Sequence, residues 1–590
     1  MEFRKLKKAA IAALVFGVAS NATSTGTTAN NVILGQTNYV AGDKNLVQGN
    51  LNQLQGDFNT LQGNTNLLIG SQNQLFGNSN QVGGNTNTVA GNTNFVQGSW
   101  NGVLGSTNTL IGNANGVIGN SNQLQGDENS IQGDVNTLVG NRNSLNGSAN
   151  LVKGNSNMLT GNTNQINGNT NMINGNLNGV MGNLNTVNGN VNGVWGNSNN
   201  VNGAQNLVDG NWNGIIGSVN QVKGNSNSII GNSNGVLGNT NQIQGNNNGV
   251  SGNTNVLNGN YNGVKGDTNT IHGSWNGVQG NSNLLIGNQN GVVGNGNSIK
   301  GGSNTVVGDI NTLVGNQNSV NGAYNGIYGN TNQVLGGSNY LTGNTNIVQG
   351  SNNGVNGNTN AVLGSFNGIA GNSNFVNGTS NLLKGNNNGV QGNSNNLLGN
   401  SNSVLGSSNG ITGSSNQVQG NVNNILGSSN IANGNNNWLN GTYNGVSGNA
   451  NYVQGSLNGV NGNSNAVIGN VNNVNGNTNY VGGDANNIWG SSNSVVGASN
   501  TLIGNTNMVT GTSNSIQGNS NWATGDQNGI VGGHNDVTGN INTVVGQLNT
   551  AIGNQNQIGG DSNFVQGSGN VISGSNTSQL NAKLNLKKDW

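Results

Sequence analysis

A seven-residue unit, Gly-Asn-x-Asn-x-Val-x, repeats without insertion or deletion from Gly35 to Gly574. Gly574 lies 539 residues after Gly35, so the array holds 77 units of seven residues. Position one is always glycine and position four always asparagine, whereas position six is aliphatic and weakens only to Ala432, Ala523 and Ala551. A solvated low-complexity segment has no reason to keep one apolar residue in a fixed phase. The repeat therefore predicts one long, ordered repeat domain.

The composition of the unit excludes a coiled coil, although the period is seven. A coiled coil needs two apolar positions per heptad, and this unit offers one that is dependable. Two or three Gly or Asn residues per unit also oppose helix formation along the whole array. The fold must therefore be built from strands.

The segment x-Asn-x-Val-x predicts a five-residue strand whose fourth and sixth positions face inward and whose third, fifth and seventh positions face outward. Glycine at position one and asparagine at position two predict a turn, because both tolerate left-handed backbone conformations. We therefore expect an all-β fold, a single elongated β-solenoid of about 38 coils with two short strands in each 14-residue coil. The inward aliphatic side chains would stack into a thin core, each stabilising it by about 2 kcal/mol. The inward asparagines would form an internal hydrogen-bonded spine.

Segments of different character flank the repeat. Residues 1–22 combine a basic start with the apolar run 9–19 and small residues near its end, which predicts a signal peptide and a secreted, extracellular protein. Residues 23–34 are expected to cap the first coil. Residues 575–590 are expected to cap the last coil, with Leu580, Ala582, Leu584 and Leu586 alternating as in a strand and lysines guarding the open edge.

Charged residues make up 5% of the chain and form no basic stripe, so nucleic-acid binding is not expected. Asp127, Glu128 and Asp134 belong to the densest acidic group, which is interpreted as turn charges rather than as a catalytic pair. His272 and His534 are far apart, and the array lacks the nonapeptide period of calcium-binding rolls. From the sequence we therefore expect no enzymatic activity, no metal site and no cofactor.

Side-chain sizes at positions three and five are anticorrelated. An aromatic residue at position three is followed by glycine at position five in seven pairs: Trp100/Gly102, Trp212/Gly214, Tyr261/Gly263, Trp275/Gly277, Tyr324/Gly326, Phe366/Gly368 and Tyr443/Gly445. One explanation is that the ring covers the backbone exposed at the glycine. The other is that the outer surface stays flat because something packs on it.

The half-coil resembles the repeat of the ice-recrystallisation-inhibition proteins of grasses, as in Thr86-Asn87-Thr88-Val89-Ala90-Gly91. The resemblance spans residues 35–574 and implies a left-handed β-roll with two flat faces, one of which adsorbs to ice through Thr, Ser and Val. Threonine at position five is shared between alternate units rather than gathered in one set. We select the stretch from Ser492 to Thr524 as the candidate ice-binding surface, because its third position stays small and polar. The candidate residues are Ser492, Ser494, Ser499, Thr501, Thr506, Thr510, Ser513 and Ser515.

The array is also similar to the head repeats of trimeric autotransporter adhesins, Gly-x-x-Ser-x-Ala-x, which have the same period. That resemblance implies a rigid adhesive rod that associates laterally. Two functions therefore stay open: a secreted ice-binding protein whose partner is the ice crystal, and an extracellular structural or adhesive fibre. The partners of such a fibre would be other copies of the chain or polymers of a cell surface or matrix. Lateral contacts would then involve Trp100, Trp212 and Trp275.

Overall fold

The computed structural model describes residues 30–580, in two units of which the first ends at Gln289 and the second begins at Asn290. The predicted signal peptide, residues 1–22, lies outside the described residues, as do most of the predicted N-terminal cap and residues 581–590.

Every regular element of the described chain is a three-residue strand that occupies positions five to seven of a repeat. In the first unit strands recur every seven residues from Val32–Leu34 to Leu284–Ile286, and in the second unit from Gly291–Val293 to Ser578–Leu580. The structure thereby confirms the all-β class. The expected five-residue strand was too long, because position three belongs to the turn.

Each strand pairs in parallel with the strand 14 residues further on, so alternate strands form two sheets in each unit. In the first unit, sheet A1 starts with Val32–Leu34 and sheet B1 with Tyr39–Ala41. In the second unit, sheet A2 starts with Ser298–Lys300 and sheet B2 with Gly291–Val293. The register is always position five to position five, as in Val32↔Leu46. The β-solenoid with 14-residue coils and two short strands per coil is therefore confirmed.

The core of each unit consists of two kinds of stacked side chain. The aliphatic residue of position six and the asparagine of position four are almost fully buried in repeat after repeat. The aliphatic stack supplies the hydrophobic driving force, since parallel sheets need a buried face. Residues at positions five and seven point away from this core, as the two-residue period of a strand requires.

The turn differs from the expected one. Glycine at position one has a φ between 113° and 147°. The other residue with a positive φ is at position three rather than at position two, and its φ is near 60°. Position three carries residues of every size, including Trp100 and Ile310. A non-glycine residue pays about 1–2 kcal/mol for this conformation. Hydrogen bonds between coils hold it in place, as when Thr506 N donates to Ser491 O at 2.9 Å.

Both ends of the described chain continue the solenoid. Val32–Leu34 pairs with Leu46–Gln48, and the Asn31 side chain donates to Gly42 O at 2.7 Å. At the other end, Ser578–Leu580 pairs with Phe564–Gln566. Gln579 takes the inward position six there, and its Nε2 donates to Asn570 Oδ1 at 3.1 Å. Leu580, the first residue of the expected aliphatic alternation, is exposed, and the other three lie outside the described residues.

Candidate functional site

The asparagines of position four form a continuous ladder inside each unit. At Asn178, Nδ2 donates to Asn164 Oδ1 at 3.0 Å and to Gly189 O at 2.9 Å. Asn178 Oδ1 accepts from Asn192 N at 2.9 Å and from Asn192 Nδ2 at 3.0 Å. Each amide is thus fully used inside the protein and has nothing left for a ligand. The predicted internal spine is confirmed.

Position two carries a second ladder, on the exposed turns. Here Oδ1 of Asn176 accepts from Asn162 N at 2.8 Å. In this ladder the accepting side chain lies 14 residues after the donor, whereas in the inner ladder it lies 14 residues before the donor. Nine of the twelve carboxylates between residues 30 and 580 stand at position two and replace asparagine there. Asp127 Oδ1, for example, accepts from Asn113 N at 2.6 Å. Eight of these nine acids accept a backbone hydrogen bond from the preceding coil and are structural acceptors in the turns, whereas Asp43 Oδ1 is buried without a partner.

The densest acidic group carries no catalytic arrangement. Asp134 Oδ1 accepts from Asn120 N at 2.6 Å, in the same way as Asp127. Glu128 Oε2 pairs with Arg142 Nε at 3.0 Å, and both side chains are mostly exposed. An exposed ion pair of this kind stabilises a fold by about 0–1 kcal/mol. Within residues 30–580 no group of three or more His, Asp or Glu residues is placed to hold a metal ion.

The structure rejects one explanation for the aromatic–glycine pairs. A Cβ atom added at Gly214, Gly263, Gly277 or Gly445 would meet no heavy atom within 4 Å, so the ring two residues earlier does not cover these glycines. Rings cover glycines from strand positions instead. Trp195 reaches to 3.1 Å from the Cβ site of Gly193, and Tyr480 to 3.7 Å from that of Gly482.

The eight candidate residues do not share one surface. Thr501 and Ser515 lie side by side on sheet B2, whereas Ser494 and Thr510 lie on sheet A2. The remaining four occupy position three in the turns. Ser499 and Ser513 precede strands of sheet B2, and Ser492 and Thr506 precede strands of sheet A2. All eight are exposed except the half-buried Ser494.

Sheet B2 extends the Thr501–Ser515 pair into a larger surface of small residues. Adjacent strands align Thr501, Ser515, Gly529 and Thr543 at position five. The same register aligns Ile503, Gln517, Val531 and Val545 at position seven. We call these eight residues the B2 patch. Neighbouring strands lie about 4.8 Å apart and positions five and seven about 6.6 Å apart, so the patch is a regular two-column grid. Gly529, Val531, Thr543 and Val545 lie outside the selected stretch, and only the strand register links them to Thr501.

Sheet A2 has a different character in the neighbouring coils. Its position five carries aromatic side chains: Trp438, Tyr452, Tyr480, Trp522 and Phe564. The rings of Trp438 and Tyr452 stack with centroids 4.3 Å apart, and Trp522 Nε1 donates to Thr524 Oγ1 at 3.2 Å. On sheet B2, positions five and seven carry no aromatic side chain from Thr501 to Val545, and Trp489 adjoins Ile503 at the edge of this surface.

The described part of the chain, residues 30–580, contains no helix that is long and apolar enough to cross a membrane.

Comparison with known proteins identifies the family. A search of curated protein sequences gives no match to the chain. The family model of the grass antifreeze β-roll matches four stretches, residues 17–119, 104–196, 292–385 and 327–420. Together these stretches cover more than half of the 590 residues. The family consists of ice-binding repeat proteins rather than enzymes, and its fold agrees with the observed one. The chain therefore belongs to the grass antifreeze β-roll family.

Proposed function

We propose that this protein is a secreted ice-binding protein that adsorbs to ice through the B2 patch and slows crystal growth. The observation that carries the proposal is the two-column grid from Thr501 to Val545 on sheet B2, with three hydroxyl groups and a glycine at position five and three aliphatic side chains and Gln517 at position seven. Family membership supports ice as the partner. The basic and apolar composition of residues 1–22 supports export.

The physical basis of adsorption is the regularity of the patch. Hydroxyl groups at position five hydrogen-bond water, while the aliphatic side chains at position seven do not, so water over the patch is confined to a repeating set of sites. Each contact is weak. Because the contacts are rigidly spaced, they act together as a multivalent surface, and the protein stays bound once several engage.

A second candidate function is an extracellular structural or adhesive fibre. The observation that favours it is the exposure of isolated aromatic side chains in the turns, 67% for Trp100 and 69% for Trp212. Aromatic residues are enriched in contact surfaces between proteins. This function predicts that the protein associates laterally in solution, which sedimentation measurements of molecular mass would detect.

The ice-binding proposal is tested by placing a large side chain on one face at a time. Ser515→Tyr on sheet B2 should raise the protein concentration needed to inhibit ice recrystallisation by about tenfold or more, because a ring standing above the grid prevents close contact. Thr510→Tyr makes a comparable change on sheet A2 and should leave inhibition unchanged.

Two variants in the turns at the edges of the sheets, Thr506→Tyr and Ser513→Tyr, test whether these turns contribute to ice binding. We expect at most a small effect, since position three lies outside the two-column grid. Loss of inhibition in Thr510→Tyr but not in Ser515→Tyr would move the site to sheet A2. Absence of inhibition by the wild-type protein would reject the ice-binding function itself.

A further inference from the structure

Four adjacent strands of sheet B1 carry glycine at position five, so the sheet surface there is bare backbone. Gly235, Gly249, Gly263 and Gly277 are direct neighbours in the parallel register. A Cβ atom at any of them would meet no heavy atom within 4 Å. We call this row of four residues the glycine track. The core valines beneath it, such as Val250, are 4% exposed, whereas Val194 and Val208 further along the same sheet are fully covered.

Folding does not account for the glycine track. None of its four residues has a positive φ, so the backbone conformation is open to any amino acid. Glycine inside a strand costs about 0.5–1 kcal/mol relative to alanine, and it leaves the sheet surface without cross-strand side-chain contacts. Each of the four glycines in the row therefore lowers the stability of the fold relative to alanine. Strand glycines often mark a place where a ligand or another backbone approaches closely.

Side chains enclose the track and give it the shape of a groove. At one end, the side chains of Trp195 and Leu207 lie over Gly193, about 3 Å from the position that a Cβ atom of this residue would take. They end the exposed floor there. A shallow cavity of about 900 Å³ extends from there over Gly235 and Gly249. The position-seven side chains form one wall, in the order Asp209, Lys223, Leu237, Ser251, Lys265 and Gln279.

The rim on the other side ends in an aromatic ledge. Tyr261 and Trp275, at position three of the last two coils of the track, stack with ring centroids 4.2 Å apart and planes 9° apart. Both rings are about half exposed. The groove thus combines a floor of exposed backbone, aromatic groups at an end and on one rim, and a wall that mixes hydrogen-bond donors with acceptors.

We propose that the groove over the glycine track binds a linear neutral polysaccharide. Asp209 directly adjoins Lys223, which leaves Lys265 as the one net charge of the wall, and the mixed donors and acceptors match hydroxyl groups, which need both. Without side chains on the floor, a flat sugar ring can lie against the backbone, and the apolar face of a ring would contact the aromatic ledge. The track runs across successive strands, so a polymer can lie along it with about 4.8 Å of floor per coil. The groove lies in the first unit and is independent of the ice-binding proposal.

Native gel electrophoresis of the full chain tests the proposal, with hydroxyethylcellulose, laminarin, galactomannan or polygalacturonate cast into the gel. We expect at least one of the three neutral polymers to retard the protein. Gly249→Leu fills the middle of the groove and should weaken that retardation about tenfold or more. Trp275→Ala should weaken it by a similar factor, through loss of a ring contact.

Gly214→Leu is the matched control, because Gly214 is equally open but lies on sheet A1 between Asn200 and Ser228. It should bind like the wild type. The Cβ atom of either substitution meets no neighbouring atom and the rest of the leucine side chain points outward, so both variants should fold, and circular dichroism will verify this. Failure of all neutral polymers, or equal weakening by the two glycine substitutions, would overturn the proposal. A change of molecular mass in Gly249→Leu alone would also overturn it and would assign the groove to a second copy of the chain.

Discussion

Asn178→Asp is expected to destabilise the surrounding coils by about 3–5 kcal/mol, although it only replaces the amide NH2 group by an oxygen. The substitution keeps Oδ1, which accepts from Asn192, but turns a donor into an acceptor. The new oxygen would face Asn164 Oδ1 and Gly189 O, both of which now receive hydrogen bonds from Nδ2. The residue is 1% exposed, so water cannot compensate for the repulsion. In a solenoid the damage should stay local, because each coil contacts only its neighbours.

Hydrogen–deuterium exchange of peptides spanning residues 160–195 measures this effect directly, since local opening exposes the backbone of these coils. Asn176→Asp, two residues away, is the matched control. It lies at position two, where the chain itself uses aspartate at Asp127, and the change should alter stability by less than about 0.5 kcal/mol. Equal exchange in the two variants would show that the inner ladder does not stabilise the solenoid.

Gly175→Ala is expected to cost about 3 kcal/mol or more and to disrupt pairing between its coil and the next. The φ of Gly175 is 139°, a region that L-residues rarely enter. An added Cβ would collide with the carbonyl oxygen of Gly189 and lie 2.6 Å from its carbon. The backbone of the next coil would have to move away, which would break the hydrogen bonds of the turn.

Gly179→Ala provides the comparison within the same repeat. Gly179 occupies position five, has no positive φ and has open space above it. Alanine should therefore stabilise the protein by about 0.5–1 kcal/mol, through a smaller loss of backbone entropy on folding. Urea denaturation followed by circular dichroism should move in opposite directions for the two variants. Similar destabilisation of both would mean that the turn conformation does not require glycine at position one.

The fixed positions of the asparagine and the aliphatic residue within the repeat predicted most of the architecture. The invariant Asn and the aliphatic residue two positions later identified the inward side of each strand, because side chains in a strand alternate. The period of seven with one strand per unit then required coils of 14 residues and two sheets. The turn was less predictable. Asparagine at position two suggested a left-handed residue, but its side chain is used as an acceptor, and the left-handed conformation falls on position three.

The surfaces could not be derived from the sequence in the same way. Thr501 and Thr510 are close along the chain but lie on opposite sheets, whereas Thr501 and Thr543 are three coils apart and share a column. The predicted set of eight residues therefore mixed two faces and two edges. The sequence by itself determined the inward side of every strand, because burial leaves a periodic signal in each repeat. The tertiary structure alone decided which outward residues lie on the sheets and which lie at their edges, because it placed position three in the turn and left the surface over strand glycines such as Gly249 open.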